Sequence, residues 1–304
     1  MATILTKALG ILLMILIGFV LKKRGYLKDD DRKALSSLVF TITLPCVLIS
    51  SFQTFEYNTS LFLSILIGLG INIFMTMAGY FVSACRDRET RSIYMLSCSG
   101  FNIGTFTFPF VSNFLDASAM IIVAMFDIGN AIMSLGGTYA VTASLTGGPG
   151  EKGGFKEFVK RLTSSIPFLT YTIMLLISLA GIRLPGFVYD ITSMIGNAST
   201  FLIMVIVGLM LEIRIPKEDI KDVIHVVAIR YMGALIFAVL IYLFLPIPAN
   251  FRKALMIGVF APSTAVSIVF CQKLGCKPST ASAINSLCIP TSLVCITLLL
   301  LFIR

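Results

Sequence analysis

Charge is scarce in this chain, tryptophan is absent, and histidine occurs once, at His225. Charged residues make up 13% of the 304 positions, against roughly a quarter in soluble domains, which excludes a large water-facing surface. A single histidine excludes zinc hydrolysis and Ser/His/Asp chemistry, both of which need imidazole as ligand or base. No HExxH string, no phosphate loop ending in GK[ST] and no pair of aspartates at membrane depth occurs, and serine without a base is not a nucleophile. The chain is therefore not read as an enzyme, and no cofactor is expected beyond a coupling ion, Na+ or H+. The seven cysteines, at 46, 85, 98, 271, 276, 288 and 295, form no CxxC pair and lie almost all in apolar stretches. They read as small buried hydrophobes, not as a disulfide framework or a metal site.

What the chain has in excess is apolar length: 57% hydrophobic residues and a mean hydropathy of +0.95. Runs long enough to cross a bilayer fall at 4–21, 34–52, 61–84, 92–113, 118–143, 164–182, 187–211, 223–245, 254–271 and 280–303. Ten spans leave only short connections, so no soluble domain and no nucleic-acid partner is expected; membrane lipid is. The first span is no cleavable signal, because Lys22, Lys23 and Arg24 follow the apolar run instead of preceding it. Connections after odd-numbered spans hold 18 of the 24 lysines and arginines, and the opposite side holds five. The positive-inside rule then puts the odd connections in the cytoplasm and both termini outside. The net charge of +9 belongs to those loops. A short chain with minimal loops reads as a prokaryotic plasma-membrane protein.

The longest break, 146–161, is rich in glycine and reads as a flexible cytoplasmic linker between a first five-span half (1–145) and a second (162–304). With an odd number of spans in each, the second half enters the membrane inverted, an arrangement common among transporters. The fourth span of each half is interrupted. Span 4 carries Gly100-Phe101-Asn102-Ile103-Gly104-Thr105-Phe106-Thr107-Phe108-Pro109, and span 9 carries Ala261-Pro262-Ser263-Thr264-Ala265. Aligning Arg91 with Arg252 sets Phe101 against Pro262 and Asn102 against Ser263, so helix-weakening residues recur at equal depth. Proline removes an amide donor and glycine lowers helix stability. Interrupted backbone at membrane depth is tolerated only inside protein or beside a watery cavity, where transporters use it to hold solutes. The helix-break residues are Gly100, Pro109 and Pro262.

In these features the chain resembles the auxin efflux carrier family, within the larger grouping of bile acid:sodium symporter-like transporters. The resemblance covers essentially the whole chain: ten spans in two halves, Leu44-Pro45 in span 2, the Asn102/Gly104/Pro109 string and Ala261-Pro262. It implies an all-α membrane protein in which broken spans 4 and 9 cross at mid-membrane. Spans 3–5 and 8–10 would move as a transport domain against a scaffold of spans 1, 2, 6 and 7, through which a homodimer forms. It implies substrate contacts at Asn102, Ile103, Gly104, Thr105, Pro262, Ser263 and Thr264, with Asn102 matching the asparagine that meets a substrate carboxylate in the plant branch. The chain departs from that branch at Phe101, where the plant exporters have proline, and in its short central linker.

Asp127 is the clearest acid at membrane depth, with Asn130 one turn along the same face. Three uses are open to it: binding a cation, carrying a proton, or neutralising Arg230 of span 8. Facing Asn102, it would supply oxygen ligands for Na+. Asn72, Asn197 and Asn285 read as interhelical hydrogen-bonders, Glu212 as a water-facing partner of Arg214 or Lys217, His225 as a solvated side chain, and Gly68, Gly70, Gly79, Gly129, Gly136 and Gly137 as packing positions. The expected function is secondary transport of small organic anions, carboxylates foremost, by elevator-type alternating access, as a uniporter or coupled to Na+ or H+. The alternative is a channel or a transporter-like membrane sensor of the same fold.

Overall fold

The computed structural model describes residues 2–55, 58–148, 154–211 and 218–303. Among them the chain is helical and forms no strand; the one β-type pairing is an isolated bridge between Phe101 and Ser263. Helices lie on every apolar run. The first two spans become α1 (Ala2–Lys23), then α2 (Asp29–Leu38) leading through a π turn (Val39–Thr43) into α3 (Leu44–Ser51); α4 is Ser60–Val82. The fourth span is split into α5 (Arg88–Cys98) and α6 (Phe108–Phe114), the latter preceded by a π turn at Ile103–Thr107. Next come α7 (Ala117–Ile132), a π turn (Met133–Gly137) and α8 (Thr138–Thr146). The second half holds α9 (Gly154–Ser164), α10 (Ile166–Leu179), α11 (Gly186–Gly196), α12 (Ser199–Met210) and α13 (Ile220–Phe244), then α14 (Ala249–Val259), α15 (Val266–Lys273) and α16 (Pro278–Phe302).

Among the described residues six helical stretches are long and apolar enough to cross a membrane, and a seventh is if the pair around Ser165, bent by 78°, counts as one span. Neither half of the fourth or ninth expected span is long enough alone, because each is interrupted midway. Two π turns sit immediately before a proline, Pro45 and Pro109. A proline offers no amide to the carbonyl four residues back and its ring collides with it, and widening the turn relieves both.

The linker expected at 146–161 is not all loop. From Gly154 on it forms α9, where Phe158, Val159 and Leu162 alternate with Lys156, Lys160 and Arg161 at helical spacing. Phe158 packs against Gly136, and Arg161 donates to the Leu135 carbonyl and lies over the Phe270 ring, so α9 is docked on the bend between α7 and α8. A two-faced helix at the membrane surface is stable where a glycine-rich coil alone would not be. Glu212, Arg214 and Lys217 lie outside the described residues.

Two packing groups are visible. Helix α1 lies along α12, and α3 packs on α10 and α11; separately α4 packs on α5 and α7, α7 on α14, and α13 on α14 and α16. The two groups meet where α3 and α10 touch α7 and where α12 touches α6. The α4–α7 contact is close because Gly68 and Gly129 let backbone reach backbone: a Cβ on Gly129 would sit 2.0 Å from the Ile65 carbonyl oxygen, and one on Gly68 2.2 Å from that of Phe126. Gly70, expected to pack likewise, meets nothing within 4 Å and faces outward.

Gly129→Ala should therefore force α4 and α7 apart and destabilise the protein by about 1–3 kcal/mol, the usual cost of overpacking, whereas Gly70→Ala should leave Tm unchanged or slightly raised. Thermal melts of the two purified variants separate the outcomes. A second prediction concerns Asp87, which caps α5. The Thr90 hydroxyl and N–H donate to its carboxylate at 2.7 and 3.1 Å and hold its pKa below the usual range. A folded-state pKa below the unfolded one means the stabilisation is complete above about pH 4 and is lost as pH falls through the folded value. Asp87→Ala should cost about 0.5–2 kcal/mol at neutral pH, and the gap to the parent protein should close in melts run at progressively lower pH below 4.

Candidate functional site

The break in the fourth span is built from its own residues. α5 stops at Cys98, Ser99 is extended, and Gly100 takes φ +72°, a left-handed conformation that favours glycine. A Cβ at Gly100 would also lie 2.7 Å from the Thr264 methyl carbon. Asn102 then caps the next helical segment, its amide oxygen accepting from the N–H of Thr105 (3.3 Å) and from the Thr105 hydroxyl. In the ninth span α14 ends at Val259, and Pro262, which cannot donate, holds the chain open until α15 begins at Val266.

The two open segments run antiparallel across each other. Asn102 N–H donates to the Pro262 carbonyl (2.9 Å), and Thr264 N–H to the Gly100 carbonyl (3.3 Å), with Phe101 facing Ser263. The remaining polar backbone is taken by side chains. Gly100 N–H donates to Asn72 Oδ1 (2.7 Å), and Phe101 exchanges two bonds with Asn130, N–H to Oδ1 and Nδ2 to carbonyl, each 2.9 Å. Asn72 Nδ2 donates to Asn130 Oδ1 and to the Gly68 carbonyl, so the pair acts as a third short strand on the open edge.

Arg230 closes the other side. Its Nη1 donates to the carbonyls of Ser97, Cys98 and Ser99, and its Nη2 to those of Gly100 and Ala261, at 2.8–3.3 Å. The sequence pointed to a pair with Asp127, and that pair does not form. The carbonyls left at the ends of α5 and α14 out-compete one carboxylate for the guanidinium. Asp127 instead accepts from Asn130 Nδ2 (2.8 Å) and from the Tyr171 hydroxyl of α10 (3.4 Å).

The structure thus brings Gly100, Asn102, Pro262, Ser263 and Thr264 together and joins Asp127 to them through Asn130 and Phe101. Ile103 and Thr105 are buried beside the crossing, while Asn102, Gly104, Thr264 and Asp127 are half-buried. Asn102 and Asp127 share no bond, and the Asn102 oxygen is committed to Thr105, which leaves its NH2 as the group available to a ligand. Pro109 is two turns away from Asn102, in the wall of a cavity of about 450 Å³ between α3, α6, α11 and α12. That cavity is lined by Ser50, Ser112, Asn113, Asp116, Ser193, Asn197 and Thr200 among others and does not reach Asn102. Asn197, expected to bond between helices, faces this cavity and is exposed; Asn285 Oδ1 is buried without a partner. His225 is exposed, as expected, and contacts the Tyr94 hydroxyl. Tyr171 carried no sequence signal, being one tyrosine in an apolar run.

Chemically, the crossing has two poles. Carbonyl ends of α5 and α14 gather around the Arg230 guanidinium. On the other side lie the amide ends of the segments starting at Ile103 and at Val266, where the Asn102 NH2 has no acceptor among the described residues. Amide ends and unpaired N–H donors suit an anion. Among the described residues no group of three or more His, Cys, Asp and Glu side chains gathers to hold a metal ion.

Removing the Asn130 amide leaves two buried Phe101 backbone groups unpaired, so Asn130→Ala should cost about 1–3 kcal/mol and raise amide exchange in a peptide covering 99–103. Unchanged exchange there would show that Asn130 does not hold the strand.

The amino-acid sequence matches the family described as Membrane transport protein over residues 3–148. It is also similar to an uncharacterized transporter of Methanothermobacter thermautotrophicus, 22% identical over 231 residues covering 74% of this chain and 73% of that protein. A second, of Methanocaldococcus jannaschii, is 24% identical over 213 residues, 66% of this chain and 67% of its own. Apolar helices, two broken spans and these similarities agree: the chain is an integral membrane protein whose first half matches the membrane transport protein family, in keeping with its resemblance to the auxin efflux carriers.

Proposed function

We propose that the protein is a secondary transporter of small organic anions, with carboxylates as the substrate class, working by elevator-type alternating access. The observation that carries this reading is the crossing itself. Two broken spans bring their amide ends and the half-buried Asn102 NH2 to the crossing, with a buried guanidinium on its other side. A carboxylate placed there accepts hydrogen bonds from the Asn102 NH2 and the Thr264 hydroxyl without displacing any bond that holds the crossing together. Ile103, Thr105, Pro262 and Ser263 shape the wall.

In this reading the ten apolar runs are ten spans in two inverted halves. The helices α4–α8 and α13–α16 carry the site, and α1–α3 and α10–α12 stand as scaffold and as the interface of a homodimer in a prokaryotic plasma membrane, with both termini outside. The two packing groups and their few shared contacts support this division. Export of an anion needs no coupled ion, because a negative interior drives it outward by about 2.3 kcal/mol per charge per 100 mV. Uptake requires coupling, and Asp127 with Asn130 is the candidate place for H+ or Na+; the Asp127–Tyr171 contact is one of those that join the two packing groups.

A thermal-shift screen of the purified protein against carboxylic acids tests the class, since ligands that bind the native state raise its Tm. At least one small carboxylate should stabilise the protein saturably, and neutral analogues of it should not. Asn102→Ser keeps a capping oxygen but removes the NH2 donor, so it should melt close to the parent while the carboxylate response weakens about tenfold or more, the worth of a bond to a charged group. Unchanged affinity would remove Asn102 from the site. Pro262→Ala should impair flux into proteoliposomes by letting the ninth span close up; normal flux would argue against the crossing as the transport site, and a flux far above carrier turnover would favour a channel.

A further inference from the structure

Five carbonyl oxygens converge behind the crossing, and what they surround is an arginine side chain. Nη1 of Arg230 takes Ser97, Cys98 and Ser99 from the end of α5, and Nη2 takes Gly100 from one broken span and Ala261 from the other. The residue is 1% exposed, and its guanidinium lies 4.7 Å from the Phe101 ring centroid. Among the described residues it has no carboxylate partner, Asp127 being bonded to Asn130 and Tyr171. A buried charge without a counter-ion is costly unless dipoles replace the ion. Here the dipoles are the negative ends of two half-helices, which point at one spot.

Carbonyls of unwound segments and half-helix C-terminal ends are the groups that transporters use to coordinate a coupling cation, and oxygen ligands of this kind suit hard cations. We propose that Arg230 is a covalently attached substitute for such a cation: its guanidinium fills the carbonyl cage, so the crossing is assembled and charge-balanced without sodium. The proposal deepens the transporter reading and rests on it. Arginine fits the task and lysine does not fit it equally, because a planar fork with separate nitrogens can tie one chain with Nη1 and bridge to the other with Nη2, whereas an ammonium is a single point. Guanidinium also stays charged at any physiological pH and cannot leave. The site is therefore as well formed in the empty carrier as in the loaded one. Arg230 is a positioning residue: it contacts the backbone that makes the site, on the face away from the opening. Sodium has no vacant place at the crossing, and a coupled ion, where there is one, is left Asp127.

The test takes the full-length Asp127→Asn protein as parent, so that no ion is held at Asp127, and compares melts in NaCl, KCl and choline chloride at equal ionic strength, with amide exchange read over 97–103 and 259–264. For the parent protein, Tm and exchange should be the same in all three salts. Arg230→Ala should melt several degrees lower, exchange faster in those two segments, and regain both saturably with sodium or with millimolar guanidinium, to which the parent is indifferent. Arg230→Lys, which keeps a charge in the cage, should stay indifferent to sodium. Saturable stabilisation of the parent by sodium over potassium and choline would overturn the proposal, as would an Arg230→Ala protein indifferent to both cations or a lysine variant that gains the same sodium dependence. If Arg230→Ala does not accumulate, the parent titration and the lysine variant decide. Failure of every carboxylate to shift Tm, with these salt results intact, would remove the anion-transport reading and leave the cage assignment standing.

Discussion

Backbone polar groups cannot be left bare inside a membrane, and the centre of this protein is organised by that constraint. Two spans are interrupted halfway, which exposes amides and carbonyls that a continuous helix would pair internally. Those at the crossing of Gly100–Asn102 on Ala261–Thr264 find specific partners: the opposite segment, the amides of Asn72 and Asn130, or the guanidinium of Arg230. The Asn102 NH2 is left without an acceptor among the described residues, and in the proposed reading that asymmetry is what would give the site a preference in charge.

The accounting explains why so many polar residues sit at depth in a chain with so little charge. Asn72 and Asn130 serve as a piece of strand that the helices α4 and α7 lend to the broken fourth span. They can do so because Gly68 and Gly129 bring those two helices into backbone contact. A rigid crossing is thus supported by close helix packing several residues away, and a change in packing is felt at the opening. Asp127 extends the same network outward to Tyr171, across the line where the two packing groups meet. In the proposed transport cycle a carboxylate at that line would sense both the occupied crossing and the relative position of the groups, which is what coupling requires.

The reading of Arg230 illustrates where sequence reasoning loses its hold. An arginine and an aspartate in apolar spans invite pairing, because a lone buried charge is expensive in lipid. The structure resolves the cost differently: carbonyls at two helix ends serve the arginine, and an amide and a hydroxyl serve the aspartate. Nothing in the local sequence around Arg230 announces five acceptors, since they lie 31 and 130–133 residues away along the chain. Asn72 and Asn130 were visible as polar residues at depth, but their targets were not. Glycine positions divided similarly, with Gly129 in backbone contact and Gly70, a residue of the same helix pair by sequence, facing outward.

The apolar runs, the sites of interruption and the uneven placement of basic residues are written in the sequence, because each depends on a local quantity: the length of an unpolar stretch, a proline without an amide, a glycine without a side chain, a lysine that resists crossing. Local chemistry likewise foretold that Asn102 and Pro262 would lie in open backbone. Which groups then meet was decided only by the tertiary structure. The antiparallel register of Phe101 on Ser263, the partners of Asp127 and Arg230, the face that Asn102 offers and the cavity beside Pro109 all arise when segments distant in the chain are pressed together. There the deciding term is the need to satisfy the exposed backbone groups of both broken spans together, a sum over the whole bundle that no stretch of sequence contains.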